Sequence, residues 1–457
     1  MKNFLYSVRE HYRKKPDHGA RVLTLFFLTV ILVGTGLLSL PGASRSGVSC
    51  GFMTALFTAT SASCVTGLTL VDTYTQWSFF GQVVLLCLIQ VGGLGYMTIV
   101  SLLIFALRRK IGLRERLIIQ QAMALEGLSG VVQLVRLMVF GTFLVEGTGA
   151  IILTLRFSAL YPVKKALWLG VFHAVSAFCN AGFDLLGFLE PGSSLMAFST
   201  DPVVLITIMA LISIGGLGFF VWNDLLMHRR FRQLSVHTRL VLVISGVLLF
   251  GGGILLAAVE WDNPLTLGTM TFGDKWLAAL FQSCTTRTAG YFAIDQAGLT
   301  GSGKLISMLL MLVGGSSGST AGGIKTVTMG ILVLEAWSIL RNKKDVVVFR
   351  RRIAQEQRSA ALCMALMISA LGVGSGMLIS SLNGVSLGDA LYETVSAVCT
   401  VGLSAGITAG LHPGSQVLLI LLMFFGRVGI MTISFAFMTK TPPDNAIRRP
   451  EVRVLIG

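Results

Sequence analysis

Four short stretches of this chain have the residue types needed to bind a cation through the backbone alone. Each ends in glycine followed by a bulky residue: Thr66-Gly67-Leu68, Ala181-Gly182-Phe183, Ala289-Gly290-Tyr291 and Val401-Gly402-Leu403, at spacings of 115, 108 and 112 residues. A dehydrated cation needs oxygen ligands in place of its water shell, and glycine permits the conformations that aim successive carbonyls at one axis. The positions expected to line such a path are Val65, Thr66 and Gly67; Asn180, Ala181 and Gly182; Thr288, Ala289 and Gly290; and Thr400, Val401 and Gly402. The first residue of each triplet varies freely, which fits ligands supplied by the main chain. One such glycine means little. Four in register imply four like units around one pore.

The elements that must position these residues repeat with them. Outer helices are expected near 22–40, 131–155, 239–259 and 360–382, each close to the ~20 residues that span a bilayer. Second helices are expected near 78–107, 202–227, 304–340 and 415–438. Between them, 52–63, 167–178, 276–286 and 389–399 are apolar but too short to cross, as re-entrant half-helices are. Six positions before each glycine stand Ser61, Ser176, Cys284 and Ser396, small enough for close packing; ten before stand Phe57, Phe172, Leu280 and Tyr392, bulky enough to anchor. The fold expected is an all-α integral membrane protein of four repeats, each helix, re-entrant pore helix, helix, in pseudo-fourfold order around one central pore. Residues 1–21 form a cytoplasmic N-terminus, 22–107 the first repeat, and 108–227 the second, preceded by a basic segment at about 108–130. Repeats three and four are 228–340 and 341–438, and 439–457 is a cytoplasmic tail.

Composition agrees with that architecture. The 457 residues are 54% hydrophobic and 12% charged, against about a quarter charged in soluble proteins, and mean hydropathy is +0.79. Net charge is +15, yet 27 of the 36 Lys and Arg fall in 1–21, 108–136, 229–239, 341–358 and 440–453. Basic clusters recurring only between units follow the positive-inside pattern, so both termini and the inter-unit connections are expected in the cytoplasm, with no nucleic-acid partner. The N-terminal apolar run, Val22 to Leu40, is long for a cleaved signal and reads as the first membrane helix. Segment Arg108–Gln133 is partly amphipathic; contact with anionic lipid headgroups and docking of a soluble regulatory partner both remain open.

The third unit departs from its siblings. A continuous helix over 304–340 would be about 55 Å long at ~1.5 Å per residue, far beyond a ~30 Å hydrocarbon core. Its middle runs Gly314, Gly315, Ser316, Ser317, Gly318, Ser319, Thr320, Ala321, Gly322, Gly323, Ile324, Lys325, so a flexible loop must break the helix just inside the filter, where it would act as a gate. Walker spacing is absent because Ile324 intervenes between glycine and lysine, which excludes a phosphate loop. Arg427 lies midway along the fourth second helix, where its counterparts are Gly or Ser; facing the cavity it would repel cations and hold the loop through its carbonyls. Arg287, three residues before Gly290, is expected to brace the filter from behind against Glu393. The counterparts of Arg287 are Cys64, Cys179 and Cys399. Soft ligands would suit copper or zinc, but an arginine in the fourth place excludes such a ring and leaves small side chains packed behind the filter. Asp72, Asp184 and Asp295 follow three of the glycines and would either draw cations to the mouth or cap ordinary loops; His173 reads as a packed polar residue. No HExxH, nucleophile elbow or carboxylate cluster suggests an enzyme, and no organic cofactor is expected in this chain.

These motifs together resemble the ion-translocating subunit of the Ktr/Trk/HKT potassium transporter superfamily, most closely the bacterial Ktr type, over essentially the whole chain. The likeness rests on Ser63-Cys64-Val65-Thr66-Gly67-Leu68, Phe178-Cys179-Asn180-Ala181-Gly182-Phe183, Arg287-Thr288-Ala289-Gly290-Tyr291, Thr400-Val401-Gly402-Leu403, the 314–325 loop and Phe425-Gly426-Arg427. A start without an extra helix pair is more similar to Ktr than to Trk. The resemblance implies K+ bound at the filter carbonyls and taken up across the bacterial cytoplasmic (inner) membrane, often with promotion by Na+. It implies a homodimer with one pore per subunit, a cytosolic ring of nucleotide-binding RCK-type regulatory subunits, and a gate formed by the Gly/Ser loop with Arg427. Glycine at all four filter positions implies a preference for potassium. A sodium or mixed-cation pathway of the same architecture is the alternative, ahead of a broken-helix transporter of another substrate.

Overall fold

The computed structural model describes residues 17–106, 131–228, 230–343, 345–349 and 351–429. Four helix–half-helix–helix units follow one another. The first comprises α1 (Asp17–Leu38), α2 (Phe52–Ser63) and α3 (Phe79–Ala106). The second has α4 (Val131–Ser158), α5 (Val163–Phe178), α6 (Pro202–Leu217) and α7 (Phe219–Met227). The third has α8 (Val236–Glu260), interrupted by a π-helical stretch at Val247–Gly251, then α9 (Phe272–Thr285), α10 (Gly301–Leu312) and α11 (Thr326–Leu340). The fourth has α12 (Gln355–Asn383), α13 (Leu387–Val398) and α14 (Pro413–Val428). The expected cytoplasmic segments at 108–130 and 439–457, and most of 1–21, lie outside the described residues.

By length and apolar composition α1, α4, α8 and α12, the outer helices, can each cross a membrane, and α6 with α7 makes a fifth span if counted through its 91° bend. The second helices of the first two units are not the continuous spans expected, while that of the third breaks where its Gly/Ser run was expected to break it. Gly95 interrupts α3 with φ 73° and ψ 166°, Gly218 separates α6 from α7 with φ 89°, residues 313–325 separate α10 from α11, and α14 ends at Gly429 with φ 90°. Apolar composition runs unbroken across Gly95 and Gly218, so there only the backbone reveals the breaks. The all-α expectation also needs one amendment. Between units three and four, β1 (Val347–Val348) pairs antiparallel with β2 (Arg351–Arg352). The Val346–Val348 run favours extended backbone, and its inward members Val346 and Val348 pack with Leu240 and Ile331.

The units close into a ring. α3 packs on half-helix α5 of the second unit, α6 on α9 of the third, α10 on α13 of the fourth, and α14 returns to α2 of the first. Each half-helix is seated by a large side chain: Phe57, Phe172 and Tyr392 are fully buried, and Leu280 lies against Gly253 of α8. Close approach inside the units also requires glycine. A side chain at Gly92 would strike the carbonyl of Ser63, one at Gly215 that of Phe178, and one at Gly426 that of Val398. These three carbonyls belong to the last residues of α2, α5 and α13, so in units one, two and four the second helix locks against the end of its own half-helix.

Candidate functional site: a glycine ring above a helix-break layer

The half-helices end alike and deliver the chain to one axis. Cys64, Cys179 and Thr286 cap three of them in right-handed conformation, and Cys399 caps the fourth at φ −91° and ψ 0°. Positive φ follows at Val65 (56°), Asn180 (58°), Thr288 (69°) and Thr400 (53°), and again at Gly67 (101°), Gly182 (69°), Gly290 (80°) and Gly402 (94°). Thr66, Ala181, Ala289 and Val401 between them keep negative φ. Such alternation turns successive carbonyls toward the same side. Left-handed backbone is unfavourable for a β-branched residue, yet three of the four leading positions carry one, which marks the segment as held by its surroundings for a purpose.

The four strands meet. A Cβ placed on Gly67 would lie 2.6 Å from the Ala181 carbonyl, one on Gly182 2.8 Å from that of Ala289, and one on Gly290 2.6 Å from that of Val401; one on Gly402 would strike that of Thr66. Each glycine therefore abuts the preceding carbonyl of the next unit, in the cyclic order 67, 182, 290, 402. Two features fix the strands to their half-helices. Thr66, Ala181 and Val401 donate backbone N–H bonds of 2.8 Å to the carbonyls of Ser61, Ser176 and Ser396. Gly67 and Gly402 donate to the hydroxyls of Ser61 and Ser396 at 3.0 Å. The serines six positions before Gly67, Gly182 and Gly402 thus anchor their strands as well as allow close packing, while in the third unit Ala289 N donates to Thr285 O at 2.9 Å.

Below the ring, residues 313–325 cross from the second unit to the fourth. The loop base is closed by Gly314 N donating to Ile324 O at 2.9 Å and Ile324 N to Leu312 O at 3.3 Å. On one side Ser316 N donates to Gly216 O at 2.9 Å, Phe219 N to Gly318 O at 3.0 Å, and the Thr320 hydroxyl to Phe178 O at 3.1 Å. Asn180 of the filter donates to the Thr320 hydroxyl at 3.4 Å. On the other side Gly322 lies against the Thr400 hydroxyl and Gly323 near Cys399 O. Lys325 Nζ turns back on Ala321 O at 2.7 Å, and Ser316 and Thr326 share a hydroxyl contact of 3.0 Å. The glycines let backbone pass beneath backbone. Arg427 reaches in from α14 and donates to the carbonyls of Thr320 in the loop and of Gly92 and Gly93 in α3. Gly93 and Gly216 are the sequence counterparts of Arg427 in the first two units. One guanidinium thereby joins units one, three and four, while the loop itself holds unit two.

Arg287 and Glu393 are not partners. Arg287 donates to the hydroxyl of Ser245 at 3.1 Å and to its carbonyl at 3.5 Å, against the outer helix of its own unit. Glu393 is fully buried and accepts from Ser404 Oγ at 2.5 Å, Thr408 Oγ1 at 2.9 Å and Ala405 N at 3.0 Å, fixing the segment just outside Gly402. Hydroxyls and backbone take the place of the expected ion pair, although Arg287 Nε is left buried without a hydrogen-bond partner. The mouth acids serve loops: Asp72 accepts from Thr75 N and Gly192 N, Asp184 from Leu186 N, Asp295 from Ala297 N. His173 is buried, bonding Leu169 O at 2.8 Å through Nδ1 and accepting from Leu185 N at 3.4 Å. Sequence reasoning missed Glu146. It is buried on α4, accepts both bonds of the Gln90 amide at 3.1 and 3.2 Å, and lies 3.9 Å from Cys179 Sγ behind the second filter strand. An acid in an otherwise apolar helix was the available signal. No cluster of three metal-ligating side chains occurs among the described residues.

A ring of converging carbonyl strands inside a shell of apolar helices is the architecture of a membrane cation transport protein. A family model described as cation transport protein, TrkH, matches residues 5–449, and the chain belongs to that family. It is 39% identical over 455 residues to the potassium/sodium uptake protein NtpJ of Enterococcus hirae, covering 98% of this chain and 99% of that one. It is 37% identical to the Ktr system potassium uptake protein B of Vibrio alginolyticus, with 99% and 98% covered, and 38% identical to that of Bacillus subtilis, with 96% of each covered. The potassium transporter TrkH of Vibrio parahaemolyticus shares the fold, at a TM-score of 0.72 and 16% identity over 93% of this chain and 85% of that one.

Proposed function

We propose that this chain carries potassium into a bacterial cell along the axis of its glycine ring, through carbonyls of residues 65–67, 180–182, 288–290 and 400–402. The observation that carries this reading is the alternation of φ at those positions together with the cyclic contacts of the four glycines. A ring of backbone oxygens replaces a hydration shell without any charged side chain, which suits a large monovalent cation. The relatives named for potassium uptake support the choice of ion, and the naming of sodium beside potassium in one of them supports a role for sodium in promoting uptake. The membrane potential supplies the driving force, ~2.3 kcal/mol per charge per 100 mV. Residues 314–325 with Arg427 form the gate: the loop occupies the path below the ring, and the arginine adds a cation there.

The resemblance to Ktr systems supports assembly as a homodimer on a cytosolic ring of nucleotide-binding regulatory subunits. The basic segments between units support a cytoplasmic-membrane location with both termini inside. The deciding experiment expresses the chain in a bacterial strain lacking its own potassium uptake. Growth on micromolar to millimolar potassium and uptake of Rb+ as tracer are measured with and without added sodium. Restored uptake supports the reading; sodium uptake with no potassium uptake would favour the sodium pathway instead.

A further inference from the structure

The four filter strands are not held alike. Phe183, the residue after Gly182, has a carbonyl that accepts two hydrogen bonds, one from Ser176 Oγ at 2.8 Å and one from the Tyr291 hydroxyl at 2.9 Å. Tyr291 is the residue after Gly290, so the hydroxyl of the third unit reaches back to the equivalent position of the second. With both lone pairs of Phe183 O engaged, that carbonyl is a strut and not an ion ligand. Tyr291 is itself rigidly placed. It is fully buried, its ring stacks on His173 with centroids 6.2 Å apart and planes 29° from parallel, and its carbonyl accepts from Thr285 Oγ1 at 2.5 Å. Units one and four have Leu68 and Leu403 at this position and possess no such tether. There the glycine N–H is held on Ser61 or Ser396 instead.

We propose that Tyr291 is a positioning residue for ion discrimination: its hydroxyl sets the spacing of the second and third filter strands through a cross-unit tether, whereas the first and fourth strands are each held within their own unit. The proposal rests on the reading that the ring binds the permeant cation. Cations that differ in radius by fractions of an ångström are separated by how firmly the carbonyls keep their distance, so a cross-strand tether next to Gly182 and Gly290 acts on preference before it acts on stability.

The test is Tyr291→Phe, which keeps the buried ring and its stacking and removes only the hydroxyl. Tracer uptake is measured against competing Na+ in the uptake-deficient strain, with membrane content quantified. The expected result is a potassium-over-sodium preference reduced roughly two- to tenfold, the range one neutral hydrogen bond carries, with maximal uptake rate little changed. Tyr392→Phe is the control, because its hydroxyl makes an equally buried inter-unit bond, 2.8 Å to Gln296 Oε1, that touches no post-filter carbonyl. An unchanged preference in Tyr291→Phe, or an equal shift in Tyr392→Phe, overturns the proposal. Should Tyr291→Phe fail to accumulate, Tyr291→Leu, which places there the residue of units one and four and also removes the hydroxyl, is judged by the same two criteria. Wild-type protein that carries no potassium at all would instead overturn the functional reading itself.

Discussion

The glycine ring and the layer of helix breaks beneath it use the same residue to different ends. In the ring, four glycines at φ 69–101° meet neighbour to neighbour and each unit contributes the same pattern. In the lower layer Gly95, Gly218, Gly318 and Gly429 again share positive φ, between 73° and 90°, but the chain around each does something different. At Gly95 α3 bends, at Gly218 the chain turns by 91°, at Gly318 it wanders through a loop, and beside Gly429 sits the one arginine. The upper level repeats one backbone geometry four times, as four carbonyls around a single proposed ion path require. The lower level repeats only the positive φ: the loop belongs to unit three and Arg427 to unit four.

Perturbations of the two levels should therefore diverge. The largest effect is expected from Gly182→Ala. A methyl group there faces the Ala289 carbonyl at 2.8 Å and the Gly290 Cα at 2.9 Å while φ stays at 69°. Left-handed strain of ~1–2 kcal/mol and overpacking of ~1–3 kcal/mol together predict uptake lowered on the order of a hundredfold or lost. Normal tracer flux from that variant would break the idea that the ring is the path. Arg427→Ala should do the reverse. Loss of the donors to Thr320 O, Gly92 O and Gly93 O frees the loop, and flux should rise about tenfold at the ~1.5–3 kcal/mol of a charged hydrogen bond. Unchanged flux would remove the arginine from the gate.

Smaller effects sharpen the contrast. Gly218→Ala strains the turn that receives the loop through Phe219 N and Gly318 O, by ~1–2 kcal/mol. It should alter flux several-fold while leaving the potassium-over-sodium ratio as it was; a changed ratio would mean the two levels are not separable. Glu393→Gln keeps the shape but weakens three bonds to Ser404, Ala405 and Thr408, so thermal stability in detergent should fall by about 1–2 kcal/mol. Gly36→Ala is the quiet end of the series. With open space around its Cβ in α1, it should stabilise the helix by ~0.5–1 kcal/mol and leave transport untouched.

What could be read in advance followed from local requirements. A glycine that must adopt positive φ at a crowded axis leaves a mark at each repeat, and so the register of Gly67, Gly182, Gly290 and Gly402, the short half-helices and the Gly/Ser break in the third unit were all visible. Partners were less visible. Arg287 and Glu393 look complementary on charge alone, yet Ser245 stands beside one and Ser404 and Thr408 beside the other, and a buried charge accepts any well-placed dipole. The breaks at Gly95 and Gly218 were hidden because leucine and isoleucine continue on both sides. Glu146 was passed over inside an apolar helix whose partner, Gln90, lies in another unit.

The linear pattern was enough for an apolar membrane chain of four like units, each with a glycine after a short half-helix, since composition, span length and glycine are each properties of a segment taken alone. The closure of the ring, the carbonyls that take up the Arg427 guanidinium, and the tether from Tyr291 to Phe183 depended on folding. Each joins residues from different units, 100 or more positions apart, and such pairs meet only after the helices have packed.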